Sequence, residues 1–115
     1  MTEFPLSRHF EGKEPVVRSI YDRILKEVKK FGKVFEEPKK TSIHLANKSA
    51  FAGVVTRKTA LILNIKSSAP IKHARITKSE QVSASRFHQE VKLISPDEVD
   101  PTLIGWLQEA YLLSS

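Results

Sequence analysis

Between residues 33 and 93 the chain reads as five or six short β-type runs, joined by connections too short to carry it back for parallel pairing. A parallel neighbour needs a crossover of roughly a dozen residues or more, so consecutive runs of this kind pair antiparallel. The runs are Lys33–Glu37 (the least regular), Thr41–Ala46, Ala50–Thr56, Ala60–Lys66, Arg75–Val82 and Arg86–Leu93. Ala50–Thr56 and Ala60–Lys66 are rich in β-branched and aliphatic residues and flank Arg57-Lys58, which predicts a hairpin. With those two residues at the tip, Thr56 pairs with Thr59, Val55 with Ala60 and Val54 with Leu61. Arg57-Lys58 is not the Asn-Gly type that two-residue turns prefer, which leaves room for a longer loop.

Cross-strand partners share a face. Leu61, Leu63 and Ile65 therefore join Ala52 and Val54 on one side of the sheet, while Phe51, Gly53, Val55, Ile62 and Asn64 point to the other. In Arg86–Leu93 the apolar Phe87, Val91 and Leu93 alternate with Arg86, His88, Glu90 and Lys92. In Thr41–Ala46, Ile43 and Leu45 alternate with Ser42 and His44.

A helix flanks the strands on each side. Pro15 to Phe31 places Val17, Ile20, Tyr21, Ile24, Val28 and Phe31 on one stripe, with Pro15 in the first turn and Gly32 as the stop. Near the C-terminus, Ser95-Pro96-Asp97-Glu98 matches a capping box. Asp100-Pro101 restarts the same logic, so a short turn precedes a helix carrying Leu103, Ile104, Leu107, Ala110 and Tyr111. Two amphipathic helices bury their stripes on one face of the sheet. The expected fold is α+β, a two-layer sandwich of five or six antiparallel strands with both helices on one side. The expected domain is residues 1–115, with residues 1–13 as an extended arm bearing Phe4, Leu6 and Phe10. That arm, a second subunit or a ligand could occupy the open face, where apolar Phe51, Val55 and Ile62 sit among polar groups.

The charge is segregated. Pro38 to Ser79 holds nine Lys and Arg and no acidic residue, although the whole chain is only +6. A window of this kind favours an anionic partner or is simply solvated. The chain has no cysteine, which excludes disulfides, thiolate metal sites and a cysteine nucleophile. The opening Met-Thr-Glu-Phe-Pro-Leu lacks a basic region followed by an apolar stretch, and no apolar run is long enough to span a bilayer. A cytoplasmic protein without a membrane segment is the expectation.

Catalytic motifs are sparse. Glu90-Val91-Lys92 has the acid-x-lysine form found in metal-dependent nucleases, with His88 beside it as a general base, but the acid-free window removes the upstream carboxylate such a site needs. His44 and His88 could share a face with Glu90 as metal ligands, with His9 and His73 as weaker partners, yet no spacing enforces it. There is no glycine-rich phosphate loop, nucleophile elbow or dinucleotide fingerprint. The basic window carries one aromatic, Phe51, where single-strand binders supply several stacking rings. Nucleic-acid binding would thus rest on phosphate contacts and depend steeply on salt.

Several stretches resemble a known family. They are His9-Phe10-Glu11-Gly12-Lys13, Lys40-Thr41-x-Ile43-His44-Leu45, Ala50-Phe51-Ala52-Gly53-Val54, Leu61-x-Leu63-Asn64, Glu80-Gln81-Val82-Ser83, Ser95 to Asp100, and Gly105-Trp106-Leu107-x-Glu109-Ala110-Tyr111. Together they resemble the bacterial domain-of-unknown-function family numbered 5655. The resemblance implies a small α+β domain, in some members attached to nuclease-like domains and in others labelled a predicted transport protein. It implies no catalytic residue and no cofactor.

Two readings stay open, with a small metal-dependent nuclease ranked below both. In the first, the chain is a non-catalytic binding module that meets a polyanion such as nucleic acid through Lys39, Lys40, Arg57, Lys58, Arg75 and Lys78. In the second, it binds a small ligand or a protein on the open sheet face, through a pocket of His44, Phe51, Asn64, Arg86, His88, Glu90 and Lys92. A homodimer is compatible with either.

Overall fold

A computed structural model of the chain describes residues 5–114, so Phe4 lies outside the described residues. The expected α+β architecture is present. Helix α1 spans Pro15–Val28 and α2 spans Pro101–Leu113; between them lie β1 (Phe35–Pro38), β2 (Ile43–Ala46), β3 (Ala50–Thr56), β4 (Leu61–Ser67), β5 (Ile76–Ser83) and β6 (Arg86–Leu93). All six strands form one sheet in the order β1-β2-β3-β4-β6-β5, and every neighbouring pair is antiparallel.

One face of this sheet carries the core. Ile43, Leu45, Ala52, Val54, Leu61, Leu63, Ile65, Val91 and Leu93 are buried beneath Val17, Ile20, Tyr21, Ile24 and Val28 of α1 and Leu103, Leu107, Ala110 and Tyr111 of α2. The outer side of α1 carries Arg18–Asp22, Arg23–Glu27 and Lys30–Glu27 ion pairs, the solvent face expected from four-residue and three-residue spacing. Tyr21 is fully buried and donates its phenol proton to Glu36 Oε1 at 2.7 Å; burial and then that carboxylate push the phenol above its usual range.

The β4–β5 connection must pass over β6, because both strands flank it. It does so on the helix side. Gln89 of β6, buried on that side, donates to Ser67 Oγ at 3.0 Å, and Ser67 in turn donates to the Ala69 carbonyl at 2.8 Å. Further along, His73 packs edge-on to Trp106 of α2 with ring centroids 5.1 Å apart. Arg75 then reaches both carboxylate oxygens of Asp100 at 3.0 Å and the Glu98 carbonyl at 2.6 Å. Asp100 is also the N-cap of α2, accepting from the Leu103 amide at 3.0 Å. The preceding capping box is present, with Ser95 and Glu98 bonding each other's backbone around a 3-10 turn at Pro96–Glu98.

Five expectations change. Strands β4 and β5, consecutive in sequence and joined by a short connection, do not pair: β6 lies between them and is antiparallel to both, so they run parallel to each other. The β3–β4 loop is longer than two residues: Thr56 pairs with Leu61, Val55 with Ile62 and Val54 with Leu63. The shift is two residues, an even number, so the longer loop by itself turns no side chain to the other face. Phe51 does change face. Leu45 opposes Ala52 but Ala46 opposes Ala50, so Phe51 is the extra residue of a bulge. Its ring is 1% exposed and packs edge-on to Tyr111 at 5.3 Å, inside the core. Residues 5–13 do not run extended as a whole: Leu6–Phe10 form a 3-10 turn, with Phe10 against Tyr21 at 5.4 Å and the Arg18 guanidinium over its ring. That turn sits against the helix-side core and leaves the other sheet face uncovered. Finally, α1 ends at Val28, three residues before Phe31.

Gly32 holds φ at +150°, and a methyl group there would meet Tyr111 Oη. Gly32→Ala should destabilise the domain by about 1–3 kcal/mol through backbone strain and that clash. In a Tyr111→Phe background the cost should shrink; urea titrations of the two single variants and the double variant measure the coupling, and strictly additive costs would contradict the contact. The Leu103 amide, with the Arg75 charge, holds the Asp100 carboxyl below its ordinary 3.8. Its stabilisation is therefore complete above pH 3.8 and disappears as pH falls through the lower folded value. Asp100→Ala should cost roughly 1 kcal/mol at neutral pH by loss of the cap. The gap to the unaltered chain should close in acid, as read by thermal melts across pH.

Candidate functional site

The pairing register places one polar row across the uncovered face. Glu37 of β1 opposes His44 of β2, which opposes Gly53 of β3, then Asn64 of β4, Glu90 of β6 and Lys78 of β5. A second row runs Lys66, His88, Glu80, and a third runs Val55, Ile62, Lys92. Gly53 contributes no side chain to the middle of the first row, and a Cβ built there would lie 3.9 Å from the His44 ring. The result is a depression of about 450 Å³ over β3 and β4, bordered by Thr41, Ser42 and His44 on one side and Lys78, Glu80, His88 and Glu90 on the other. Asn64, Val55 and Lys66 also line it, with residues 50–53 of β3. That volume suits a small organic ligand.

The charged groups around the depression are already engaged. Lys78 and Glu80 pair at 3.5 Å, and Thr77 donates to Glu90 Oε2 at 2.8 Å. The Lys66 ammonium donates to Ser114 Oγ at 2.8 Å and to Ser49 Oγ at 3.2 Å. Partial burial, and then the nearby Arg86 guanidinium, lower the Lys66 pKa from its ordinary value. His44, Asn64 and His88 differ: among the described residues their side chains make no hydrogen bond or ion pair. Three neutral-capable donor and acceptor groups thus stand unpaired around one cavity, ringed by charges that compensate one another.

Of the pocket residues expected from sequence, His44, Asn64, His88 and Glu90 come together here, and Phe51 also borders the cavity although its ring packs in the core. Arg86 and Lys92 share the face but sit at opposite ends of β6, outside the lining. The sequence reading missed Lys66 and Glu80. Lys66 has the same parity as Asn64 on β4 and was visible in principle; Glu80 needed the β5–β6 register. His44, His88, Glu80 and Glu90 all border the cavity, yet no three carboxylate or imidazole groups among the described residues converge as a metal site.

The anion-binding set divides. Lys39 and Lys40 occupy the β1–β2 turn, and Arg57 and Lys58 the β3–β4 loop; the register puts both turns at the same end of the sheet. His9 Nε2 shares a hydrogen bond with the Lys39 carbonyl at 2.8 Å, and the Glu14 amide donates to the Lys58 carbonyl at 2.7 Å, so the N-terminal segment braces both turns. Arg75 is taken up by Asp100, and Lys78 belongs to the cavity rim.

These features define a small α+β domain with an antiparallel sheet whose second face holds a polar depression. The chain belongs to the family described as Domain of unknown function (DUF5655), whose model matches residues 6–114. No curated protein and no solved structure matches it. Among the described residues no helix is long and apolar enough to cross a membrane.

The depression depends on the missing side chain at Gly53. Gly53→Val should fill its floor while keeping the fold, since valine suits a strand and the nearest atom leaves it room. The expected result is an unchanged or slightly higher melting temperature. Loss of the fold would show that Gly53 serves the backbone rather than the cavity.

Proposed function

We propose that the protein is a non-catalytic binding module that takes a small polar molecule of low net charge on the open sheet face. The observation that carries this reading is the unpaired state of His44, Asn64 and His88 around a cavity whose formal charges are otherwise balanced. An Asn side chain offers a donor and an acceptor side by side, and neutral imidazole offers one of each. The ligand they fit presents an adjacent donor and acceptor of its own, as primary amides and nucleobase edges do. Glu90 and Lys66 lie one row and one strand apart, roughly 8 Å between backbones by strand geometry, and frame the cavity for a molecule of that size.

The test is an NMR titration with adenosine, uridine and glutamine as probes. One of them should shift the Asn64 side-chain amide and both imidazole signals, and Asn64→Leu should weaken it about tenfold or more, in line with leaving a ligand group unpaired. Shifts restricted to the Lys39 and Arg57 turns, or none at all, would overturn the reading.

A second reading is favoured by one observation, the meeting of Lys39, Lys40, Arg57 and Lys58 at one end of the sheet. That end would hold a polyanion such as nucleic acid through phosphate contacts. Binding of random-sequence DNA or RNA should then fall steeply with salt, and Arg57→Gln with Lys58→Gln should flatten that dependence by about two phosphate contacts. Affinity indifferent to salt would remove it.

A further inference from the structure

The two edges of the sheet are built differently. β1 is four residues long, ends in Pro38, and carries Glu36 and Glu37 side by side. A second β1 laid antiparallel against it would bring like charges together, and proline removes a donor from the ladder. β5 is eight residues long and exposed at every position after Ile76. Bulges at Ile76/Lys78 and Gln81/Ser83 bound a regular stretch from Lys78 to Gln81 between them. A long exposed edge is a template for another strand unless its side chains forbid pairing.

Here the side chains favour it. Reading the regular stretch against itself in antiparallel order about Ser79 sets Lys78 opposite Glu80. The two-fold forms that opposite-charge pair twice, and Ser79 meets Ser79 at the axis. Moving the axis one residue either way to an equivalent pairing would set Lys78 against Lys78 or Glu80 against Glu80. Only the Ser79 axis matches the charges, and opposite charges facing each other across strands are favourable while like charges are not.

We propose that the chain forms a two-fold dimer by joining β5 to β5 of a second copy, with the axis at Ser79. The contact is isologous, the same strand on both sides. Lys78 and Glu80 point to the open face in each copy, so the two depressions lie side by side on one continuous sheet, with Lys78 of each reaching Glu80 of the other at their common rim. The proposal does not depend on what the cavity binds.

Sedimentation over a concentration series tests it, since the dimer doubles a mass of 13.0 kDa. Glu80→Lys or Lys78→Glu alone should weaken association tenfold or more by creating like-charge pairs, and the double variant should restore it. The chain has no cysteine, so Ser79→Cys gives a clean cross-link assay. Opposed residues of an antiparallel pair lie about 4.5 or 5.5 Å apart at Cα, within disulfide reach. Mild oxidation should therefore yield covalent dimer from Ser79→Cys and not from Gln81→Cys, whose copies lie four residues out of register. A monomer at every concentration with no Ser79→Cys cross-link would overturn the proposal. So would a dimer that both single charge reversals leave intact.

Discussion

Both helices lie on one face of the sheet, and that one-sided burial is the constraint from which the remaining features follow. Alternating strands then have one apolar and one polar face, and the passage from β4 to β5 runs on the helix side, where Gln89, Trp106 and Asp100 hold it. The same constraint leaves His44, Asn64, His88 and Glu90 with no layer above them among the described residues. Burying a polar group without a partner costs roughly 1–3 kcal/mol, so unpaired polar side chains are favoured where water or a ligand can reach them. Gln89 and Asn64, amides on adjacent strands, differ in the same way: the Gln89 amide is buried with its nitrogen bonded to the crossover and its oxygen unpaired, and Asn64 faces the depression.

Glycine and one bulge shape that face. Gly53 lowers the middle of the polar row, and the bulge at Phe51 takes the one large ring that would have filled the depression and turns it into the core. Tyr111 receives it, and the same tyrosine packs on Phe31 at 5.7 Å and donates to the Lys33 carbonyl at 3.0 Å. The end of α1, the start of β3 and α2 therefore meet at one aromatic cluster. That cluster explains why the cavity is polar: the apolar content expected on the open face has moved to the other side, leaving Val55 and Ile62 as its apolar remainder.

Much of this was legible from the residues. The helices and the β3–β4 hairpin follow from periodicity and caps, and Ser95 with Asp100 marks the start of the final helix twice, whereas the place of β6 between β4 and β5 does not follow from them. Apart from Phe51, the faces of β3 and β4 follow the alternation, because the loop differs from the two-residue tip by an even number of residues. Phe51 was not legible: a bulge depends on how Ala46 settles against Ala50, which alternation cannot show. The basic window was a count along the chain, and folding divided it. Lys39, Lys40, Arg57 and Lys58 meet at one end, Arg75 became a clamp on Asp100, and Lys66 and Lys78 went to the cavity rim. Asn64 was legible as an open-face residue, but its lack of a partner depends on the registers of four neighbouring strands.

The central claim is that the sheet is buried on one side and solvent-accessible on the other at Asn64. Side-chain amide exchange with water, measured by NMR in the same sample for Gln89 and Asn64, tests it most directly. The account predicts slow exchange for the Gln89 amide, held beneath the crossover, and fast exchange for Asn64. Equal protection of the two would contradict it, because the second face would then be covered.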